Sequence, residues 1–312
     1  MAAHQLTVIE DQERWTGDGR ILEYSKAANP LATGATPPVP FAAFPASLHE
    51  EGPTRVIPLD LSAQLGTAGP ATGPGLLASF IRIVEGESIS TRPNATSELY
   101  YVIDGLGRTI LGDAEIQWEQ GDFFTLPAGS NATHVADADS ALYYVHDEPL
   151  MRYLGVRPEA ARFSPTLYPR AQADAALEAA ANDPEAASRS RVSVLLTNRE
   201  FEQTLTATHV LWVMYGIVPA GTVQKPHRHQ SVALDFIAGC KPGCYTLLGD
   251  ELDENGAIVD PVRADWHPSS AFVTPPGLWH AHFNESGAPA YVIPVQDAGL
   301  HTYLRTLDIR FS

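Results

Sequence analysis

The sequence predicts an all-β-dominated chain in which one β-unit of roughly 100 residues occurs twice, the copies joined by a short helical connector. Three observations carry this. Short segments rich in β-branched and aromatic residues lie on both sides of a single alanine-dense stretch. A set of landmarks in the first half returns in the second half in the same order. Gly (24) and Pro (25) are dispersed without a period, as expected of many short elements joined by turns.

Residues 1–55 read as an irregular arm. Pro30, Pro37, Pro38, Pro40, Pro45 and Pro53 fix φ and remove donors there, which excludes a central strand or a long helix. Over 56–155 the strand candidates are Val56–Asp60, Leu77–Val84, Leu99–Ile103, Arg108–Leu111 and Ala141–Val145. The texture then changes within the connector, 156–192. Its stretch Pro169–Asn182 is unbranched and alanine-rich, the strongest helix candidate in the chain. Strand patterning resumes over 193–312, at Val210–Val218, Val232–Ile237, Tyr245–Leu248, Ala271–Thr274 and Ala290–Val295.

The duplication is read from the landmarks. Thr109-Ile-Leu-Gly-Asp returns as Thr246-Leu-Leu-Gly-Asp, and Trp118 and Trp266 each precede a proline, Pro127 and Pro275, by nine residues. Pro127-Ala-Gly129 matches Pro275-Pro-Gly277. Asp147, Leu150, Tyr153 and Leu154 match Asp297, Leu300, Tyr303 and Leu304. A length of 312 residues agrees with two domains at about 150 residues each.

Composition excludes several classes of partner. Lys plus Arg is 20 against 37 for Asp plus Glu, a formal charge of −17, which disfavours nucleic acid and anionic membrane surfaces. Hydrophobic residues make up 44% and charged residues 18%, enough apolar material for a core. Cys240 and Cys244 are too few for a disulfide scaffold, and their thiols are expected to be free. The N-terminus has no basic-then-apolar signal, and the longest apolar stretch, near Val210–Ala220, is too short to cross a bilayer. A cytoplasmic protein is the expectation.

Seven of the eleven histidines fall between His209 and His301. Gly221 leads after five residues to His227-Arg-His229, and Pro275-x-Gly277-x-x-His280-x-x-x-Asn284 follows. Alternation along a strand turns His227 and His229 the same way, and a third imidazole from a distant strand closes a facial set with positions left open. The first copy keeps the frame without the ligands: Arg92-Pro-Asn94 and Ala132 stand where the histidines would be, while Glu98 remains at the acidic slot. That copy is expected to be metal-free.

These two motifs resemble the signature of the cupin superfamily, and the doubled unit resembles a bicupin, two jelly-roll β-barrels in one chain. His227-Arg-His229-Gln-Ser-Val-Ala-Leu-Asp-Phe-Ile and Trp279-His280-Ala-His282-Phe-Asn284 further resemble the gentisate, salicylate and 1-hydroxy-2-naphthoate dioxygenases. That resemblance implies one Fe(II) per chain, held in the C-terminal cupin by His227, His229 and His280. It also implies extradiol-type cleavage of a hydroxylated aromatic ring with O2, the ring being gentisate-, salicylate- or aminophenol-like, and a homo-oligomer, dimer or tetramer.

The superfamily often supplies a Glu as fourth ligand, but Ala233 and Leu234 occupy those positions. Three neutral imidazoles then leave the metal charge uncompensated, which favours a bidentate anionic ligand. The chain departs from the family in carrying its ligands in the second cupin, and in placing Asp235 where the family usually has Arg. Asp235 and His282, which share the inward parity of the ligands, are candidate catalytic residues. Trp212, Trp279 and Ser231 are candidate substrate contacts. Lys225 shares the ligands' parity as well, although a solvated lysine is the commoner outcome. His134 aligns with His282 and is a candidate partner for Glu98 or a core residue. Two other functions remain open: a metal-dependent lyase, isomerase or hydrolase working without O2, and a non-catalytic bicupin that binds a small molecule.

Overall fold

The computed structural model describes residues 17–186, 189 and 191–312. The arm's first sixteen residues lie outside these. Residues up to Pro38 form one unit, whose described part contains a short helix, Tyr24–Ala27, capped by the Glu23 carboxylate. Val39–Ser312 forms the second unit.

Two β-barrels make up this unit, each from a pair of antiparallel sheets. In the first, a six-stranded sheet runs in the order Thr166–Tyr168, Phe123–Pro127, Ser97–Asp104, Ser140–His146, Leu77–Ile83, Arg55–Pro58. It faces a four-stranded sheet of Ser88–Thr91, Ala132–Ala136, Leu106–Leu111 and Ala114–Glu119. In the second barrel the six-stranded order is Ala43–Phe44, Ala271–Thr274, Ala233–Gly239, Ala290–Gln296, Trp212–Val218, Val192–Leu196. Opposite lies a five-stranded sheet of Val262–Asp265, Cys244–Gly249, Trp279–Asn284, Thr222–Arg228 and Arg310–Phe311.

The two large sheets pack on each other. Phe80, Leu99 and Tyr143 from one meet Val213, Phe236, Ile293 and Val295 from the other in one buried cluster. Tyr143 stacks on Phe236 with centroids 4.9 Å apart, and its hydroxyl donates to the Leu234 carbonyl. Strands of the large sheets are therefore covered on both faces, which is why Leu99-Tyr-Tyr-Val-Ile reads as a continuous apolar run rather than an alternation. Each barrel also has its own interior cluster, around Tyr100, Trp118 and Phe124 in the first and Val218, Trp266 and Phe272 in the second.

The predicted helix is present as Arg170–Ala181, entered through Pro169, with Ala173 and Leu177 buried. The connector holds more than this helix, since Thr166–Tyr168 and Val192–Leu196 are edge strands of the first and second barrels. The proline-rich arm, excluded from central positions, supplies an edge strand too: Ala43–Phe44 pairs with Phe272 and Ala271. Cys240 and Cys244 flank a hairpin turn as free thiols, the buried Cys244 donating to Asn284 Oδ1.

Candidate metal centre

The small sheet of the second barrel assembles the histidines. His227 lies near the end of Thr222–Arg228, His229 one residue beyond it, and His280 directly opposite His227 on Trp279–Asn284. The turn before His280 requires Gly277, at φ +82°, and its N–H bonds the His229 carbonyl at 2.7 Å, tying the two motifs together. The three imidazoles are buried, with candidate ligand atoms all within 4.8 Å of one another.

Hydrogen bonding selects which nitrogen faces the centre. Nδ1 of His227 donates to the Lys225 carbonyl (3.3 Å), that of His229 to the Ser231 carbonyl (2.9 Å), and that of His280 to the Leu278 carbonyl (3.1 Å). Each Nε2 is left with a lone pair, and His229 Nε2 is buried without any protein partner. Burial holds all three pKa values below the usual histidine range, His229 at about 4, so the rings are neutral bases at pH 7. Neutral imidazoles with Nδ1 fixed by carbonyls and Nε2 convergent fit a borderline divalent metal.

A β-bulge refines the expected parity. Pairing with Trp279–Asn284 shifts register between Gln224 and His227, so Gln224 and His227 are buried while Lys225 is exposed. Lys225 is thus a solvated lysine.

His282 sits two residues beyond His280 on the same face, its Nδ1 2.8 Å from Thr246 Oγ1, which accepts from Trp266 Nε1. Asp235 faces the same interior, fully buried. It accepts from Thr274 Oγ1 at 2.6 Å, and burial raises its pKa to about 6 against the opposing effects of that bond and of Arg191.

Arg191 is the residue that sequence reasoning missed. It precedes the edge strand Val192–Leu196, in what reads as connector, and no local motif marks it. Its guanidinium enters the barrel, where Nη2 touches His227 Nε2 and lies 3.3 Å from His282 Nε2. Nη1 approaches Met214 Sδ at 3.9 Å, and Nε is buried without a partner. Burial lowers its pKa to about 10, with Asp235 opposing, so it remains a cation at neutral pH.

The substrate-contact candidates divide. Trp212 shares the face of Met214 on Trp212–Val218, and its Nε1 is a second buried donor without a partner. Trp279 is corrected: next to His280 on a pleated strand it points to the outer face, under the Arg228 guanidinium at 4.8 Å. Ser231 is corrected as well, because its hydroxyl is committed to Gln296 Oε1 (2.8 Å) and His229 Nδ1 (3.0 Å).

In the first barrel the corresponding space is filled. Glu98 accepts from Tyr100 and Tyr144, and His134 reaches Glu98 only through Thr91 and Tyr100, as a core residue. Among the described residues, His227, His229 and His280 are the one group of this kind suited to a metal ion. No described helix is long and apolar enough to cross a membrane.

Comparison with known proteins gives the same fold. Salicylate 1,2-dioxygenase from Pseudaminobacter salicylatoxidans superposes with a TM-score of 0.73 at 12% identity, covering 97% of this chain and 99% of that one. Its gentisate adduct superposes at 0.72 and 13% identity, over 94% and 90%. The chain therefore has the bicupin fold. In sequence, 80 residues are 35% identical to 5-aminosalicylate 1,2-dioxygenase from Comamonas, and 90 residues are 28% identical to 5-nitrosalicylic acid 1,2-dioxygenase from Bradyrhizobium. These stretches are 25% and 28% of this chain, and only 21% and 44% of the relatives' lengths. No family model matches the chain.

Proposed function

We propose that this bicupin is an Fe(II)-dependent dioxygenase that opens the ring of a hydroxylated aromatic acid, with His227, His229 and His280 as the iron ligands. The observation that carries the reading is the convergence of three Nε2 lone pairs, each set by an Nδ1 bond to a backbone carbonyl, beside one buried guanidinium. The partial likeness to salicylate-type dioxygenases supports the choice of reaction.

When bound, iron supplies a Lewis-acidic centre with open positions and the one-electron chemistry that dioxygen needs to react with a closed-shell ring. The protein's part is binding and orientation. Arg191 offers a charge-assisted donor pair to a carboxylate, with its Nε and Trp212 Nε1 as further unspent donors on the same side. Asp235, in the same interior, favours the charged form of Arg191. His282 contributes a ring nitrogen beside the cluster. The walls exclude bulk water, since every one of these ring nitrogens is buried.

The test is anaerobic purification, metal analysis, and oxygen uptake on gentisate, salicylate, aminophenol and hydroquinone analogues. Bound iron with substrate-dependent uptake is the expected result. Turnover supported by Zn or Mn without oxygen would make the chain a lyase, isomerase or hydrolase, and no turnover with any metal would make it a binding protein. His227→Ala and His280→Ala are expected to lose the metal, and full retention would refute the ligand assignment.

A further inference from the structure

We infer that Trp266 and Thr246 hold the proton of His282 on Nε2, so that this histidine meets the site as a hydrogen-bond donor to the anionic ligand, opposite in polarity to the three acceptor histidines beside it. This rests on the reading of the cluster as a metal and substrate site.

The argument is a count of hydrogens. An indole N–H only donates, and a threonine hydroxyl has one proton and two lone pairs. Trp266 Nε1 donates to Thr246 Oγ1 at 2.8 Å, which occupies one lone pair. Thr246 is fully buried, and among the described residues the acceptor in reach of its own proton is His282 Nδ1, at 2.8 Å. Were Nδ1 protonated instead, the hydroxyl would accept twice and its proton would be buried without a partner. The neutral ring therefore carries its hydrogen on Nε2. Strand register builds the contact, because Thr246 and His282 are directly paired neighbours.

The first barrel repeats the device with both ends visible. Trp118 donates to Thr109 (3.0 Å), Thr109 meets His134 Nδ1 (2.8 Å), and His134 Nε2 meets Thr91 (3.0 Å). Thr91 meets the Tyr100 hydroxyl (2.8 Å), which donates to Glu98 (2.7 Å). A donor-only indole at one end and an acceptor carboxylate at the other force every proton in one direction. His134 then donates from Nε2. Thr109 and His134 are register neighbours, as Thr246 and His282 are. In the second barrel the chain ends at the histidine, without counterparts of Thr91, Tyr100 and Glu98, and the His282 Nε2–H opens onto the cluster. Arg191 Nη2, which can only donate, lies 3.3 Å from that nitrogen; the 2.8 Å Thr246 bond is the shorter of the two and sets the tautomer against it, and an anionic oxygen seated between the two N–H groups accepts from both. Thr246 and Trp266 are positioning residues, acting through His282.

The test reads the ring protons directly. Protein labelled with 15N-histidine, metal-free and loaded with diamagnetic zinc, is compared with Thr246→Val and Thr246→Ser by long-range proton–nitrogen correlation, with His282→Gln assigning the signal. Wild-type and Thr246→Ser are expected to show His282 protonated on Nε2. Thr246→Val, which cannot donate, is expected to show a tautomer mixture, with zinc content unchanged and kcat of the iron-loaded enzyme about tenfold lower at similar KM. A wild-type His282 protonated on Nδ1, or a tautomer unaltered in Thr246→Val, overturns the inference. The wild-type spectrum decides even if the valine variant does not fold. Failure of the proposed function is separate: absent oxygen uptake with His282 still protonated on Nε2 removes the dioxygenase reading and leaves the relay standing.

Discussion

His229 donates from Nδ1 to the Ser231 carbonyl at 2.9 Å, and the Ser231 hydroxyl joins the same nitrogen (3.0 Å) to Gln296 (2.8 Å). Because a carbonyl and not a side chain makes the shorter contact, Ser231→Ala keeps the tautomer that points Nε2 inward. The variant is expected to retain metal within about tenfold of wild-type affinity, at the mild end of supporting-residue effects. It loses about 1–3 kcal/mol of stability from the unpaired Gln296 oxygen. His229→Ala, by contrast, is expected to lose metal altogether. Metal titration alongside urea denaturation separates the two. A Ser231→Ala protein with normal stability and raised KM would instead place the hydroxyl on the substrate.

Arg191, just before an edge strand, and Asp235, in the centre of the same sheet, sense each other's charge in the barrel interior, each favouring the other's charged form. Removing one partner leaves the other buried without its counter-charge, a change on the order of 3 kcal/mol. Arg191→Gln is therefore expected to destabilise the metal-free protein by about that amount, and Arg191→Gln with Asp235→Asn to recover most of it. Urea denaturation of the single and double variants gives the coupling. Simple additivity would show that the two groups do not interact.

The same two residues are expected to set substrate charge preference. Asp235→Asn keeps a hydrogen-bond acceptor for Thr274 but frees the Arg191 charge for a substrate carboxylate. KM for carboxylated rings is expected to fall about three- to tenfold relative to aminophenols, the scale of one partly screened interaction. Steady-state kinetics across both classes tests this, and an unchanged KM ratio removes Asp235 from substrate selection.

The cluster was legible because its chemistry is local: His227-x-His229 and Pro275-x-Gly277-x-x-His280 are short spacings that a strand and a glycine turn convert directly into convergence. The duplication was legible for the same reason, the Thr246, Trp266 and Thr109, Trp118 landmarks proving to be matched supports for His282 and His134. Arg191 was not, since its place depends on an edge strand joining a sheet through a partner 25 residues further along the chain (Val192 pairs with Ile217). Trp279 failed on geometry finer than spacing, and the exposure of Lys225, the commoner outcome for a lysine, has a cause that spacing does not show. One lies on the other face of the pleat from His280, and the other is displaced by a bulge that alternation does not register.

Glu98 gives the first barrel a pH dependence of known sign. Burial raises its pKa from 4.5 to about 7, against the opposing bonds from Tyr100 and Tyr144. A carboxyl that holds its proton more tightly folded than unfolded binds more protons in the native state. Its contribution is therefore full below about pH 4.5 and is lost as pH rises through 7. At 1.36 kcal/mol per pKa unit, that is roughly 3 kcal/mol across the window. Asp235 and Asp297, both raised to about 6 by burial, titrate in the same range, so the comparison must be made against a variant that keeps them. Glu98→Gln does so: it cannot ionise, and its amide oxygen still accepts from the two tyrosines. Its unfolding free energy from pH 5 to 8 is expected to fall less steeply with rising pH, or to rise more steeply, than that of wild type. The two curves should diverge by a few kcal/mol between pH 5 and pH 8, whatever the absolute cost of burying the new NH2 group. Parallel curves in urea denaturation would mean that Glu98 does not titrate in this range.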